Sequence, residues 1–478
     1  MNLNQVIPPY FYKRRLFPFL PKPVRKQDLK TRNIENKIPK IMPKTINMFI
    51  SQKNRAELYK KMMLKYGKCR SIFVSNELFI TAFSPEMVYQ ITVEQKEKFL
   101  KGNGWNRIRK FAGEGLLTSE EPTHSQHRKI MQPSFTHKKI QGYFDIMTDK
   151  TSKRIDEWIS TPNKKVDVHS EMVSLTLEIV AESLFGINLK SDTEIIRKNM
   201  NVAINAAERT VAPALHRYDF SNLPIFKNFR EASIELHKFS LKLIEERMNN
   251  PVDGDDLLNV LIKSKNDKDS PMSFQEISDE VLTIILAGFE TTANALTFAI
   301  AYINDNPIWY TLLSQEAKEI MNSYGKDNFM EIVSNAPVCT SIIKETLRIS
   351  PPLWVMPRLA LKDCVIDGNF IPSGASVIMS TYPIHHDPDI YERPDLFLPH
   401  RWNNDFEKTL PRGAYIPFGV GTRKCIGDQF AMLEMKVILL MIANKINLKT
   451  TRKAPKGAAK ASYRTSRPVR AKIKPIDL

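Results

Sequence analysis

Residues 417–434 read P-F-G-V-G-T-R-K-C-I-G-D-Q-F-A-M-L-E, and Cys425 at their centre is one of four cysteines in 478 residues. Gly419, Gly421 and Gly427 surround it, and glycine lets a backbone approach a neighbour closely. Arg423, Lys424 and a helical run starting near Ile426 favour a thiolate. No histidine lies close in sequence to serve as the base of a nucleophile, and no further Cys or His sits at zinc-ligand spacing. Two readings remain. Cys425 is either a small buried residue before a helix or a single thiolate held by glycines beneath something flat, which suits the axial ligand of a haem iron.

The remaining cysteines, Cys69, Cys339 and Cys364, form no C-x-x-C pair. That argues against a disulfide framework and for a reducing, cytoplasmic setting. The net charge of +18 sits at the ends: residues 1–40 carry +8 and residues 449–478 carry +9. Basic ends suit nucleic acid, membrane phospholipid or an acidic partner, and also simple solubility. The run Leu16 to Leu20 is short and broken by Pro18, unlike a secretory signal. No stretch reaches the roughly 18 apolar residues of a membrane span, so no transmembrane anchor is expected. Peripheral membrane contact stays open.

Along the chain, residues 1–40 read as a basic, proline-punctuated arm. Lys53 to Tyr66 reads as a helix, and Ser71–Val74 and Leu78–Thr81 as strands of a hairpin through Asn76. Glu86 to Lys98 reads as helix, Lys101 to Glu121 as irregular, and His124 to Ala336 as overwhelmingly helical. The longest helix starts at a capping box, Ser273-Phe274-Gln275-Glu276, and runs to Ile303 before Asn304-Asp305-Asn306-Pro307. Glu280, Glu290 and Asn294 argue against a membrane location for it. A helix buried through a large domain remains. Val338 to Ile349 is helical, short strands follow, and Thr381 to Pro417 is long, proline-rich and irregular.

Phe418-Gly419-Val420-Gly421-Thr422-Arg423-Lys424-Cys425-Ile426-Gly427 resembles the F-x-x-G-x-R-x-C-x-G haem signature of the cytochromes P450. The likeness implies Cys425 as thiolate ligand of haem b iron, Phe418 packing near the sulfur, and Gly427 and Arg423 as haem contacts. Glu345-Thr346-Leu347-Arg348 is similar to the family's E-x-x-R, whose structural set Arg401 would complete. On a helix, residues three apart share a face and can pair. The irregular stretch from Thr381 is then the family's meander. Ala287-Gly288-Phe289-Glu290-Thr291-Thr292 resembles A/G-G-x-D/E-T-T/S. There the family would use Glu290 and Thr291 for dioxygen and its protons, with Ala287 and Gly288 leaving room over the haem. His124 and Arg128 match an H-x-x-x-R propionate-binding helix, and Arg358 matches another propionate partner. His385-His386-Asp387 has the composition of a metal cluster but lacks a third ligand at sensible spacing, so it reads as structural.

The resemblance covers nearly everything from residue 50 onward. It implies a mainly α fold with small β-sheets, in which residues 41–478 form one large haem domain beyond the arm of residues 1–40. It implies a monooxygenase whose electrons, drawn from NAD(P)H, arrive through a separate ferredoxin or flavodoxin-like donor with its reductase. Lys424, Arg107, Arg109 and Lys110 are candidates for docking that donor. Phe289, Leu353, Trp354, Val355 and Met356 would line an apolar substrate cavity. The closest likeness is to soluble bacterial members, and the runs Pro411 to Phe418 and Gly427 to Phe430 resemble those of bacterial members that oxidise terpene hydrocarbons, with fatty acids or alkanes next. Two rivals stand beside this reading. One is a haem-thiolate enzyme needing no redox partner, such as a peroxygenase, isomerase or dehydratase. The other, a nucleic-acid-binding protein, leaves the Cys425 motif unexplained.

Overall fold

The computed structural model describes residues 21–42, 54–74, 76–102, 105–161, 165–189, 196–202, 227–267, 271–322 and 329–476. The helices that shape the site are α1 (Lys26–Thr31), α2 (Arg55–Tyr66), α3 (Thr123–Met131), α4 (His137–Ile159), α5 (Val168–Phe185), α6 (Phe274–Asp305), α7 (Pro337–Ile349) and α8 (Asp428–Lys445). The strands are β1 (Cys69–Val74), β2 (Glu77–Ala82), β3 (Phe99–Leu100), β4 (Lys165–Asp167), β5 (Met356–Ala360), β6 (Cys364–Ile366), β7 (Asn369–Ile371), β8 (Ser376–Met379), β9 (Ile446–Thr450), β10 (Gly457–Ala459), β11 (Tyr463–Thr465) and β12 (Arg470–Pro475). The fold is mainly α, with a five-stranded sheet in the order β1-β2-β8-β5-β3, a three-stranded sheet β4-β12-β9 and two small hairpins.

Helix α6 is the axis of the helical body. Its capping box is formed as expected: Glu276 N donates to Ser273 Oγ at 3.2 Å, and Ser273 N donates to the Glu276 carboxylate at 2.8 Å. Its 32 residues extend about 48 Å. By length and composition it could cross a membrane, yet 78% of its apolar window is buried inside the protein. Helix α5 lies along it, and a Cβ on Gly288 would come 3.0 Å from Val180 of α5. Gly288 therefore serves this close helix crossing, whereas the sequence reading gave it to space over the haem.

The hairpin through Asn76 forms as expected, with Ser71 opposite Ile80 and Asn76 at φ 65°. Two expectations need correction. The arm was drawn to residue 40, but residues 21–40 belong to the domain. Val24, Leu29, Ile34 and Ile38 are buried in the same cluster as Ile80 and Val377, Leu78 N donates to Val24 O at 2.8 Å, and Ile41 bridges to Ser71. The net charge masked four spaced apolar residues. The stretch from Lys101 to Glu121 contains a helix, Asn106–Ala112, because Phe111 and Ala112 bury one face against the helical core.

The irregular segment after Thr381 is pinned to α7. Arg348 and Glu345 are both fully buried, and their side chains pair through two bonds of 2.9 Å. Arg348 also donates to the carbonyls of His385, Pro394 and Leu396 at 2.7, 2.8 and 3.2 Å. Glu345 accepts from Leu398 N, Arg401 Nε and Trp402 Nε1 at 2.9, 3.1 and 3.0 Å. His385 belongs to this framework: its Nε2 accepts from Ile416 N at 3.0 Å. Among the described residues no group of His, Cys, Asp and Glu is placed to hold a metal ion. Removing one partner of a buried pair leaves an uncompensated charge. Arg348→Leu is expected to lower unfolding free energy by about 3–5 kcal/mol, read as a lower urea midpoint. An unchanged midpoint would contradict the pinning.

Candidate active site

The loop before α8 is shaped by its own backbone. Cys425 N donates to Phe418 O at 2.9 Å and Gly419 N to Ile416 O at 3.0 Å. Gly421 is at φ 78°, and a Cβ there would lie 2.3 Å from Thr92 O, so no other residue fits without displacing that neighbour. Gly427 faces Phe135, and its N–H donates to the Cys425 sulfur at the N-terminus of α8. Cys425 is exposed, while Cys69, Cys339 and Cys364 are buried. Burial by surrounding protein nonetheless raises its thiol pKa to about 11, against the Gly427 N–H and the charges of Arg128 and Lys424. The basic neighbours alone do not make a thiolate, so a bound metal cation is the element that would.

Around this loop lies a buried excess of positive charge. Arg423 donates to Ser119 O at 2.8 Å and to Glu120 at 3.1 Å. Glu120 also accepts from Lys101 N at 2.8 Å and from Arg109 at 3.3 Å. Arg358 donates to Pro357 O at 2.9 Å, and its pKa is driven down to about 10 by burial and by repulsion from Arg423, against Glu120. Lys101 is buried and held well below the usual lysine range by burial and by Arg423 and Arg358. Its ammonium bonds Leu117 O and sits over the Trp105 ring. Burial, with Arg423 and Lys101, pushes His124 down to about 4, so it is neutral and bonded to Glu121 at 3.1 Å. Arg128 donates to Lys424 O at 2.6 Å. Arg423, Arg358, Arg109 and Lys101 thus share the buried carboxylate Glu120. Such a cluster suits a ligand carrying carboxylates, and with the accessible sulfur it fits haem with its two propionates.

On α6, Ala287 and Thr291 are half-buried, and Thr291 Oγ1 donates to Ala287 O at 2.8 Å. The Glu290 carboxylate accepts from Ser462 Oγ at 2.7 Å, Ser462 accepts from Asn294 Nδ2 at 3.0 Å, and Asn294 Oδ1 meets His169 Nε2 at 3.1 Å. Ser462, Lys101 and Glu120 were missed in the sequence because nothing in their local pattern sets them apart.

The residues expected to line the cavity are unevenly buried: Phe289 and Trp354 keep 3% and 4% of their surface. Phe289 packs in the helical core. Trp354 packs against Tyr59 and donates to Lys460 O at 2.8 Å. Met356 is also buried, whereas Leu353 and Val355 are half-buried. Arg109, expected on a docking surface, is turned inward and bonds Thr118 O at 2.7 Å. The side chains of Arg107 and Lys110 lie outside the described residues.

A second polar cluster holds the loop before α3 to α6. Glu114 N donates to Asp279 and Leu116 N to Glu280, both at 2.9 Å. A Cβ on Gly115 would lie 2.2 Å from Thr283 Oγ1. His127 bonds Glu280 at 2.6 Å and lies 3.7 Å from Glu276. Burial lowers the His127 pKa, but hydrogen bonds from Glu276 and Glu280 outweigh it and raise the pKa to about 9. A raised folded-state pKa stabilises fully below the unfolded value near 6.5 and is lost as pH rises through the folded value. Wild type should therefore hold an advantage over His127→Gln up to about pH 6.5 and lose about 2–3 kcal/mol of it by about pH 9. Urea unfolding at stepped pH checks this; a pH-independent difference would exclude a charged His127.

The fold and the cradle together define a haem-thiolate protein. The family model Cytochrome P450 matches residues 38–473. The chain is 31% identical over 366 residues to cyclooctatin synthase of Streptomyces melanosporofaciens, covering 76% of this chain and 78% of that protein. It is 29% identical over 371 residues to cyclooctat-9-en-7-ol 5-monooxygenase of the same organism, covering 77% and 80%. The solved haem domain of cytochrome P450DA superposes with a TM-score of 0.81 at 22% identity, covering 92% of this chain and 97% of that one. The chain belongs to the cytochrome P450 family and is a haem-thiolate monooxygenase.

Proposed function

We propose that the enzyme hydroxylates or epoxidises an apolar small molecule, with a terpene or terpenoid as the substrate class. The observation that carries this is the likeness to cyclooctatin synthase and cyclooctat-9-en-7-ol 5-monooxygenase, the second of which acts, by its name, on an unsaturated alcohol. The half-buried Leu353 and Val355 support an apolar wall. Fatty acids and alkanes are the next class.

When bound, haem supplies the activation of dioxygen, using electrons from NAD(P)H delivered by a partner. Cys425 would ligate its iron, with the Gly427 N–H holding the sulfur's orientation. Arg423, Arg358, Arg128 and Lys101 would neutralise the propionates, with neutral His124 as a hydrogen-bond neighbour. Thr291, half-buried on α6, would present its hydroxyl toward the haem, and Glu290, one residue away, would relay protons. For the electron donor, a groove of about 430 Å³ lies against Phe418 and Gly419 and is bordered by His137, Lys344, Lys424 and Lys436, with Glu407 and Asp428 between them. Lys344 and Lys424 are paired there with Glu407 and Asp428 at 2.6 and 2.5 Å, pairs that an acidic ferredoxin or flavodoxin-like protein would have to exchange for its own carboxylates.

Terpenes, fatty acids and alkanes titrated into the haem-loaded enzyme test the reading through the shift of the Soret band. Terpenes should give the larger shifts and oxygenated products with a ferredoxin and its reductase. Thr291→Ala should then lower product formation ~10²-fold while NADPH consumption continues. Preference for fatty acids would overturn the substrate class, and full turnover with peroxide alone would overturn the need for a partner.

A further inference from the structure

The basic C-terminal stretch has no role in the chemistry above. Its register gives it one. Lys472 of β12 lies opposite Lys449 of β9 on one side and Lys165 of β4 on the other. The three lysines are exposed, while their neighbours Ala471, Ile473, Val166 and Leu448 are buried. One face of the sheet therefore carries a row of three ammonium groups on strands about 5 Å apart. Arg470 and Lys474 extend it along β12, and both are exposed. Across from Arg470 stands Asp167, whose carboxylate is engaged in capping α5 through His169 N and Ser170 N. Arg452, Lys453, Lys456 and Arg467 are exposed in the connections around β9 to β12.

Among the described residues none of these nine cations has an ion-pair partner. Elsewhere on the surface lysines do pair, as Lys344 does with Glu407 at 2.6 Å and Lys408 with Asp405 at 2.8 Å. Like charges directly opposite on neighbouring strands destabilise a sheet. The row weakens the fold it sits in, and an anionic partner would offset that cost.

The kind of partner follows from what accompanies the charge. The strands carry no aromatic residue, so there is no stacking platform for single-stranded nucleic acid. None of the exposed large apolar side chains belongs to these strands, so a buried anchor for a protein interface is missing. What remains is a flat two-dimensional array of cations, which matches a plane of phosphate groups. The sheet also lies away from the electron-donor groove. Helix α4 begins at that groove with His137 and its far end leads toward β4, and its 23 residues span about 34 Å.

We propose that the outer face of the β4-β12-β9 sheet is a peripheral attachment site for an anionic phospholipid surface. It would hold the enzyme where apolar compounds concentrate while leaving the donor groove free. The proposal does not depend on the substrate class.

Sedimentation of the haem-loaded protein with phosphatidylcholine vesicles, with and without 30% phosphatidylglycerol (roughly the anionic content that gives a strong surface potential), tests it. Wild type should bind the anionic vesicles and not the neutral ones, and salt should release it. Each surface cation is worth roughly fivefold in partitioning, so the triple variant Lys165→Gln, Lys449→Gln, Lys472→Gln should bind ~100-fold more weakly. Its haem spectrum and melting temperature should not fall, because repulsion is removed rather than packing. A second variant, Lys13→Gln, Arg14→Gln, Arg15→Gln, neutralises the N-terminal arm and should keep the binding. Wild-type binding by the triple variant, loss in the arm variant instead, equal binding to neutral vesicles, or binding to duplex DNA or a ferredoxin through the same lysines without vesicle binding would each overturn the proposal.

Discussion

The pair of Glu345 and Arg348 is the constraint on which the rest of the architecture depends. The segment from Thr381 to Pro417 has little regular structure, so most of its backbone groups need partners from outside a ladder or helix. Arg348 supplies donors to three of its carbonyls, and Glu345 accepts from one of its amides and from two of its side chains. Both charges are buried, and each is compensated by the other and by this backbone. The framework continues through Tyr391 Oη to Ala414 O at 3.1 Å and through Ile416 N to His385. It delivers the chain to Phe418, where the cysteine loop begins. The position of Cys425 is thus set from a helix far away in sequence.

The cysteine loop and the long helix were legible because their chemistry is local. A capping box, a stop at Asn306-Pro307 and a glycine at each tight turn act within a few residues. The pairing of Glu345 with Arg348 was legible as a helical spacing and its structural role with Arg401 followed from the resemblance, but its burial was not legible. What escaped notice depends on tertiary context. Residues 21–40 looked like an arm because seven basic residues outweigh Val24, Leu29, Ile34 and Ile38 in composition, yet those four decide where the segment packs. Phe289 and Trp354 are large and apolar, and their packing in the cores around α6 and Tyr59 is equally set by tertiary context. Lys101 and Ser462 carry no local signal; one becomes part of the site by burial beside Arg423 and Arg358, the other by the fold of the β10-β11 hairpin against α6.

Charge is used in three ways in this molecule. The buried group of Arg423, Arg358, Arg109 and Lys101 around Glu120 is unfavourable alone and suits a dianionic ligand. The His127, Glu276 and Glu280 group sets one histidine between two carboxylates and ties a loop to the central helix. The outer lysines of the C-terminal sheet face solvent without an ion-pair partner among the described residues. The same side chains therefore act as ligand, latch or surface according to burial and to the carboxylates within reach, which composition alone does not reveal.

The central claim is that Cys425 is the thiolate ligand of the haem iron. Its most direct test is the absorption spectrum of the reduced, carbon monoxide-treated protein, recorded for wild type and for Cys425→Ala supplied with haem. A strongly red-shifted Soret band in wild type that is lost in the variant is the predicted result. Retention of that band in the variant, or failure of well-folded wild type to bind haem, would contradict the account.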